Sequence, residues 1–288
     1  MKTLSTRRFL QVAGLTAAGL LLGACGKKEA PAVPPSAPAA ATAPASAAPP
    51  AKVYTVGTDA AYAPFESQNE KGEIVGFDID VAKAVAAKAG FELKFVNTPW
   101  EGIFAALGQG DRDMVVSAVT ITDERKQTMD FSDPYFDAQQ LIAVKQDSKT
   151  AKFADLKKLK VGVQTGTTGD EAVTKLLGKA STNIKRFEST PLAVKELESG
   201  GVDAVVADNG VIVHYVANNP GGKFKMVADQ EFVPEKYGIA MKKGNAELQA
   251  LVNKGLAAIK ADGTYDKIYT QYFGAPPAAP APAAAASK

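Results

Sequence analysis

The chain at residues 160–177 reads KVGVQTGTTGDEAVTKLL, and this stretch decides the fold class. The valine-rich run at 160–163 is typical of a strand, and the pattern from Gly169 to Leu177 is typical of a helix. Between them, the glycine- and threonine-rich run 165–169 indicates a turn. Because a strand that leads directly into a helix is the repeating unit of α/β proteins, the sequence predicts an α/β fold.

The same alternation of strand and helix continues on both sides of this unit. Strands are predicted at 53–57, 91–96, 113–119, 160–163, 184–187 and 202–207. Helices are predicted at 77–89, 100–107, 169–177, from 189–191 onward, 246–261 and 264–272. The simplest interpretation is two lobes in tandem, each built on a parallel sheet, within a folded part of about 52–274.

The first residues have the features of an export signal. Basic Lys2, Arg7 and Arg8 precede an apolar stretch that is too short to cross a bilayer by itself. The stretch ends in Leu22-Gly23-Ala24-Cys25, which resembles the bacterial lipoprotein processing site. We therefore expect residues 1–24 to be a lipoprotein signal peptide and Cys25 to be lipidated. Arg7-Arg8 match the twin-arginine pattern only partly, so the export route stays open.

Low-complexity tracts flank the predicted folded part. Residues 25–51 consist mainly of Ala, Pro and Ser, a composition that buries no core and suits a tether. Residues 275–288 have a similar composition, and we expect a disordered tail there.

Composition excludes several classes of function. The chain has 33 Lys+Arg against 31 Asp+Glu, and loss of residues 1–24 would remove three basic residues and no acidic one. A nearly neutral mature protein gives no indication of nucleic-acid binding. Cys25 and His214 are the only residues of their types, so neither an internal disulfide nor a His/Cys metal site can form, and we expect no cofactor.

Candidate site residues follow from the position of the strands. Open α/β sheets bind ligands beyond the carboxyl ends of their strands. The residues that come directly after predicted strands are Asp59, Tyr62, Ser117, Ala118, Thr120, Arg125, Gln164, Thr168 and Asp208. Trp100 comes shortly after the end of the predicted strand 91–96, and its ring could likewise project into a cleft.

Two of these positions suit the two ends of a small dipolar molecule. The planar guanidinium of Arg125 can hold a carboxylate, and the turn 165–169 offers backbone N–H groups at a helix N-terminus. Asp208 can accept an ammonium. Each also has a simpler interpretation: Arg125 as a solvated residue, the turn as ordinary turn chemistry, and Asp208 as a helix N-cap. Tyr62 and Trp100 could belong to the core.

Six motifs occur in order along the predicted folded part: GTDAAYAPF at 57–65, GFDID at 76–80, ITDER at 121–125, DFSDPY at 130–135, VGVQTGTTG at 161–169 and ADGTY at 261–265. Together they resemble the bacterial extracellular solute-binding proteins of the polar amino acid type, the receptors of amino acid ABC transporters. The resemblance covers about 52–274.

This resemblance implies a two-lobe, periplasmic-binding-protein type II fold with a hinged cleft. Lobe 1 would comprise 52–136 and 238–274, and lobe 2 would comprise 137–237, with hinge crossings near 136–139 and 236–238. The implied protein is not an enzyme. It would be a lipid-anchored monomer on the periplasmic face of the membrane that passes a free amino acid to the permease subunits of an ABC transporter.

The resemblance also assigns roles to the residues at the charged ends of the ligand. The family's carboxylate-binding arginine falls on Arg125, with backbone N–H groups near Thr120 and Thr168. Its ammonium-binding acid falls on Asp208, with Ser117 nearby.

Further roles concern the ligand side chain. The family's stacking rings fall on Tyr62 and Trp100, and its side-chain selector falls on Asp59. The chain departs from several relatives at Ala118, where they have a second serine and this chain offers only a backbone carbonyl. It also departs from histidine-type relatives at Gly169, where they have a longer polar residue.

Specificity follows from the resemblance to arginine- and lysine-type members. Asp59, together with Glu66, could pair with a cation held between Tyr62 and Trp100, a cation–π arrangement worth roughly 0.5–2 kcal/mol. We expect a basic amino acid, with glutamine or another polar amino acid as the alternative. Glu66 has the simpler interpretation of a solvated or supporting residue.

Two further alternatives stay open. Some relatives resemble this fold but act as dehydratases, which need a positioned acid or base. The single histidine, His214, lies six residues after Asp208 in a predicted helix, where we expect a structural or exposed role. A sensory domain that acts on a separate partner is the second alternative.

Overall fold

The first of two sheets is built around strand β1, the first strand that the sequence predicts. In the computed structural model, which describes residues 51–219 and 223–274, this sheet has five strands. Their spatial order is β5 (Glu92–Asn97), β1 (Val53–Thr58), β6 (Met114–Val115), β15 (Ala240–Lys242) and β7 (Met129–Phe131). β1 pairs in parallel with β5 and β6, whereas β15 runs antiparallel to β6 and β7.

The second sheet also has five strands and contains the unit at 160–177. Its spatial order is β11 (Ile184–Phe187), β10 (Val161–Gln164), β12 (Ala204–Asp208), β9 (Gln140–Lys145) and β13 (Phe224–Val227). β10 pairs in parallel with β11 and β12, and β9 is antiparallel to β12 and β13. The expectation of purely parallel sheets is therefore wrong, because one strand of each sheet, β15 in the first and β9 in the second, runs antiparallel to both of its neighbours.

Two short strands connect the parts of the chain that carry the two sheets. The chain passes from the first sheet to the second through β8 (Phe136–Ala138) and returns through β14 (Glu235–Tyr237). β8 and β14 pair antiparallel, with Ala138 opposite Glu235 and Phe136 opposite Tyr237. A three-stranded sheet, β2 (Ala61–Tyr62), β3 (Glu66–Gln68) and β4 (Ile74–Val75), follows β1.

Helices cover both sheets. The α-helices of the described residues are α1 (Phe77–Ala89), α2 (Trp100–Gln109), α3 (Asp123–Thr128), α4 (Thr168–Leu177), α5 (Thr190–Ser199), α6 (Asn209–Asn218), α7 (Ala246–Ala261) and α8 (Thr264–Phe273). A 3₁₀ helix spans Phe153–Lys158. None of these helices is long and apolar enough to span a bilayer.

Local sequence signals explain where helices begin and end. α1 stops at Gly90, whose φ of 83° lies in the left-handed region that glycine adopts without strain. Pro191 stands in the first turn of α5, where its missing N–H costs no hydrogen bond.

The largest core cluster joins the first sheet to the connecting strands. Phe65, Phe77 and Phe136 pack edge to face, and the Tyr237 ring stacks on Phe136 with centroids 5.3 Å apart. α7 and α8 also pack on this cluster, so the end of the described chain returns to the first sheet. Separate clusters lie on the two faces of the second sheet.

The third strand of the first half differs from its prediction. The sequence predicts a strand over 113–119, but β6 covers only Met114–Val115. After β6 the backbone turns, and Ala118 adopts a φ of 47°, the one non-glycine residue with positive φ in the described part of the chain. The prediction fails because the apolar pattern continues through a segment that leaves the sheet.

Several predictions concern residues outside the described ranges. These are the signal peptide at 1–24, the lipidation of Cys25, almost all of the tether at 25–51 and the tail at 275–288.

Candidate functional site

A cavity with about 330 Å³ of empty space lies between the two sheets. Every residue that the sequence predicts as a ligand contact lines it, together with Glu66, which the sequence analysis names only as a possible second acid, and Thr167, which it does not name. The lining residues are Asp59, Tyr62, Glu66, Trp100, Ser117, Ala118, Thr120, Arg125, Gln164, Thr167, Thr168 and Asp208.

The strand ends explain why these residues meet. β1 and β6 end beside each other in the first sheet, and β10 and β12 do so in the second. Parallel strands point their carboxyl ends the same way, so the loops after them gather at one edge of each sheet. The two edges face each other across the cavity.

Arg125 lies in the first turn of α3. Thr122 caps this helix, since its Oγ1 accepts a hydrogen bond from the backbone N–H of Arg125. The guanidinium is 9% exposed and donates to the carbonyls of Thr120 at 3.0 Å and Gly166 at 3.3 Å. It also lies over the Trp100 ring, 5.4 Å from its centroid. No carboxylate of the described residues is within 4.0 Å of it.

Burial lowers the pKa of Arg125 from its usual value, because desolvation disfavours the charged form. The group still remains cationic at neutral pH, since arginine begins from a value above 12. The site therefore contains a buried positive charge without a carboxylate partner, a condition that an anionic ligand group would relieve.

Asp208 ends β12 at the N-cap position of α6, but its side chain does not cap the helix. Its carboxylate instead accepts hydrogen bonds from the Gln140 side chain and from the Tyr237 hydroxyl. Burial raises the pKa of Asp208 to about 6, and the nearby charge of Glu235 contributes to the same direction. The N-cap alternative is correct for the backbone position and wrong for the side chain.

Asp59 and Gln164 meet across the cavity. Gln164 Nε2 donates to Asp59 Oδ2 at 3.0 Å and to the Glu188 carbonyl at 3.1 Å. Gln164 Oε1 accepts from Thr190 Oγ1 at 3.0 Å, which fixes the amide orientation. Burial raises the pKa of Asp59 above its usual value, although the bond from Gln164 opposes the shift.

The turn 165–169 closes over the cavity from the second sheet. Trp100 Nε1 donates to the Gly166 carbonyl at 3.3 Å. Gly169 lies so close to Gln140 that a Cβ there would stand 2.8 Å from Gln140 Oε1. A side chain at 169 would therefore have to displace the Gln140 amide, which the glycine leaves in place.

The two aromatic candidates belong to the site and to the core at once. Tyr62 and Trp100 are 9% and 8% exposed, and each packs in a core cluster while lining the cavity. The two interpretations that the sequence leaves open are therefore compatible.

The sequence leaves three interpretations open for Glu66: a solvated residue, a supporting residue or a partner for a ligand cation. The solvated interpretation is wrong, because Glu66 is fully buried and lines the cavity. Its Oε1 accepts from Ser117 Oγ at 2.9 Å. Glu66 lies on β3, whose antiparallel pairing with β2 directs the side chain inward. No sequence pattern near residue 66 indicates this pairing.

Sequence reasoning also missed the residues that support the site from the connecting strands. Glu235 Oε2 accepts from Thr120 Oγ1 at 2.6 Å and from Thr168 Oγ1 at 2.9 Å, while its Oε1 accepts from Gln140 at 3.1 Å. Glu235 therefore connects groups on both sides of the cavity. Only the pairing of β14 with β8, which is remote in sequence, brings it there.

His214 lies away from the cavity, on α6, where its ring contacts Asn218. Burial lowers the pKa of His214. Within the described ranges, no group of three or more His, Cys, Asp or Glu residues is arranged to hold a metal ion.

Comparisons with known proteins agree with this geometry. The family model described as bacterial extracellular solute-binding proteins, family 3, matches residues 54–275. A probable histidine-binding protein of Neisseria gonorrhoeae is 46% identical over 91% of this chain and 94% of that protein. ABC transporter arginine-binding protein 1 of Escherichia coli is 35% identical over 77% of this chain and 91% of that protein.

A solved structure is similar as well. The arginine-, lysine-, histidine-binding protein ArtJ of Geobacillus stearothermophilus has a TM-score of 0.76 and 47% sequence identity. The match covers 79% of this chain and 97% of that chain. Each of these relatives is named as a binding protein rather than as an enzyme.

Proposed function

Because the chain belongs to the bacterial extracellular solute-binding proteins of family 3, we propose that it captures a free basic amino acid and delivers it to an ABC transporter. Arginine, lysine and histidine are the candidate ligands, in line with the names of the relatives. The transporter's permease subunits are the proposed protein partner.

One observation carries this proposal: Arg125, on α3 beside the first sheet, and Asp208, at the end of β12 in the second sheet, line the same cavity. A free amino acid has a carboxylate and an ammonium on the same carbon, and both lose water when the cavity closes around them. Their transfer is tolerable only if each end meets an opposite charge. Arg125 serves the carboxylate, with the N–H groups near Thr120 and Thr168, and Asp208 serves the ammonium, with Ser117 and the Ala118 carbonyl beside it.

The remaining groups of the cavity favour a cationic side chain. Asp59 and Glu66 are acids on the side of the first sheet, and Tyr62 and Trp100 offer ring faces. A cation between aromatic rings gains roughly 0.5–2 kcal/mol. Gln164 adds an uncharged donor and acceptor, so glutamine remains the second candidate for this site.

A thermal-shift panel of the twenty amino acids tests this function. A ligand that binds only the folded state raises the unfolding midpoint by mass action, so arginine, lysine or histidine should give the largest shifts. Asp59→Asn should reduce the shift with arginine and lysine and leave the shift with glutamine nearly unchanged. If no amino acid shifts the unfolding midpoint, the proposed function is wrong. If Asp59→Asn reduces the shifts with arginine, lysine and glutamine equally, the proposed role of Asp59 is wrong.

For localisation, we infer an exported protein that is held on the membrane by lipid on Cys25 and acts as a monomer. The support is the family, together with the sequence Leu22-Gly23-Ala24-Cys25 after an apolar stretch. Cys25→Ser should move the protein from the membrane fraction to the soluble fraction without changing its ligand affinity. A protein that stays in the membrane fraction would overturn the anchor.

A further inference from the structure

Two acidic side chains are buried together beneath the cavity. Glu66 on β3 and Asp78 on α1 are both 0% exposed, and they bind consecutive residues, since Glu66 accepts from the Ser117 hydroxyl and Asp78 from the Ala118 N–H. Glu66 lines the cavity, whereas Asp78 lies behind it. The function proposed above uses Glu66 only as a nearby charge and does not use Asp78.

The hydrogen bonds of this pair are incomplete. Glu66 Oε1 accepts from Ser117 Oγ at 2.9 Å, and Asp78 Oδ2 accepts from the Ala118 N–H and the Tyr135 hydroxyl, both at 2.7 Å. Glu66 Oε2 and Asp78 Oδ1 have no hydrogen-bond partner although both are buried. An unpartnered buried polar atom is unfavourable because it has lost its water without gaining a hydrogen bond, and a charged one is more so.

No positive charge compensates the pair. Within residues 51–219 and 223–274, no Lys, Arg or His nitrogen lies within 4.0 Å of either carboxyl group. The titratable groups that face the pair are Asp59 after β1, Tyr62 on β2 and Tyr135 before β8. All are acids or hydroxyls, so two ionised carboxylates here would repel each other without relief.

We propose that Glu66 and Asp78 share one proton, that a ligand with a cationic side chain expels this proton, and that a ligand with a neutral side chain leaves it in place. This inference rests on the amino-acid-binding function proposed above. It identifies the pair as the element that adapts the charge of the cavity to the charge of the ligand.

When one of the two carboxyl groups is protonated, it can donate a hydrogen bond to the other. This bond would give a partner to the unpartnered oxygen of Glu66 and to that of Asp78. Burial raises the pKa of Glu66 well above its usual value, with the charge of Asp78 adding to the effect. Burial raises the pKa of Asp78 to about 6, against the bonds from Ala118 and Tyr135. Asp78 accepts two hydrogen bonds that favour its charged form and Glu66 accepts only one, so we place the proton on Glu66.

Expulsion of the proton is a simple ionisation. The O–H bond of Glu66 breaks, the proton passes to bulk water, and a carboxylate remains that faces the ligand side chain. A guanidinium or ammonium in the cavity favours this step because an opposite charge nearby lowers the pKa of a carboxyl group. A neutral side chain supplies no such charge, so Glu66 stays protonated and can donate.

The first experiment needs no ligand. Infrared spectra of the free protein at pH 7 should show a protonated carboxyl band that Glu66→Gln removes. Asp78→Asn should also remove it, because the asparagine Nδ2 can donate to Glu66 and lets Glu66 ionise. Urea unfolding of both isosteric variants checks that they fold. A wild-type protein without the band would overturn the shared proton, whatever the protein binds.

The second experiment compares arginine with citrulline, which has nearly the same shape and no side-chain charge. Calorimetric titrations in two buffers of different ionisation enthalpy give the number of protons released. Arginine should release about one proton and citrulline none. Below the pKa of the pair, the ratio of arginine to citrulline affinity should fall about tenfold for each pH unit lowered. Asp208 must ionise for both ligands, so its titration cancels in this ratio.

Variants of Glu66 and Asp78 distinguish the contribution of this pair from that of Asp59. Glu66→Gln should abolish proton release and weaken arginine at least tenfold more than citrulline. Asp78→Asn should abolish proton release while arginine still binds, because Glu66 is then already ionised. Arginine binding without proton release in the wild-type protein would overturn the linkage. Failure to bind any amino acid would instead overturn the proposed function, while the infrared band would still decide whether the proton is shared.

Discussion

At the scale of single residues, the site depends on buried charges whose partners inside the protein are uncharged. Arg125 donates to two backbone carbonyls, and Asp208 accepts from an amide and a hydroxyl. Such groups satisfy hydrogen-bond geometry but leave the charge itself without an opposite charge. Both positions are therefore ready for a dipolar ligand, and removal of either should affect binding more than folding.

Arg125→Ala should weaken amino acid binding by about 3–5 kcal/mol, or at least a hundredfold in dissociation constant. The cause is the loss of the only cation that lines the cavity among the described residues. Isothermal titration calorimetry with arginine measures the change. Lys126→Ala is the matched control, because Lys126 is the next residue on α3 and its Nζ binds the exposed Asp123. Equal affinities for the wild type and the Arg125 variant would remove Arg125 from the site.

The raised pKa of Asp208 predicts that the stability of the ligand-free protein depends on pH. Its pKa is raised from 3.8 to about 6 in the folded state, so the folded state holds more protons than the unfolded state between these values. The free energy of unfolding should therefore fall as pH rises from about 4 through 6, with a contribution on the order of 3 kcal/mol.

Urea unfolding of the wild type and Asp208→Asn at pH 4 and pH 7 measures this contribution. The variant has no proton to lose at this position and should show a smaller decrease in the free energy of unfolding. Asp123→Asn, which removes an almost fully exposed carboxylate, is the control. If wild type and Asp208→Asn have the same pH dependence, Asp208 does not titrate as described.

At the scale of elements, the close approach of α1 and α7 depends on a glycine. A Cβ at Gly255 would stand 2.6 Å from the Val85 carbonyl oxygen of α1, which is shorter than any tolerated contact. Gly255→Ala should therefore force the helices apart and destabilise the protein by about 1–3 kcal/mol.

Gly102 in α2 is the matched control, because it is also a helical glycine but has open space where a Cβ would stand. Gly102→Ala should be neutral or stabilise by up to about 1 kcal/mol, since alanine favours helix. Urea unfolding measures both. A Gly255 variant as stable as the Gly102 variant would show that the two helices separate at no cost.

The elements also show what the sequence could predict. The family assignment and the α/β class are confirmed, and helices α1 and α7 have the predicted bounds because caps and apolar periodicity are local signals. Strand direction is different. β9 and β15 insert antiparallel into their sheets through pairings between distant residues, which no local pattern encodes. For the same reason, Glu235 was not predicted and the burial of Glu66 was not anticipated, whereas the residues directly after parallel strands were predicted.

At the scale of the whole molecule, the two sheets are tied together across the cavity. Trp100 and Arg125 donate to Gly166, Gln164 donates to Asp59, and Glu235 joins Thr120 to Thr168. Each of these contacts requires the two edges to be close. A ligand held by both edges stabilises this arrangement by its differential affinity for it.

Gln164→Glu should oppose closure, because a carboxylate would replace the donor that faces Asp59. We expect a larger radius of gyration in small-angle X-ray scattering, and at least tenfold more arginine needed to reach the compact form. Gln249→Glu is the control, since Gln249 donates to the Phe131 carbonyl without crossing the cavity. Identical scattering of the Gln164 variant and the wild type at every arginine concentration would contradict this role.

The pairing of β8 with β14 has a consequence for how such proteins could be recombined. The segment between them enters and leaves through neighbouring strands, with Ala138 opposite Glu235. It could therefore be exchanged as a cassette through two adjacent junctions. A chimera that receives this segment from a relative would inherit the position of Asp208, the proposed ammonium partner, and the turn at 165–169 as one block. Arg125, Asp59, Glu66 and Asp78 would stay with the host, so the proposed ammonium partner could be exchanged separately from the groups proposed for the carboxylate and the side chain.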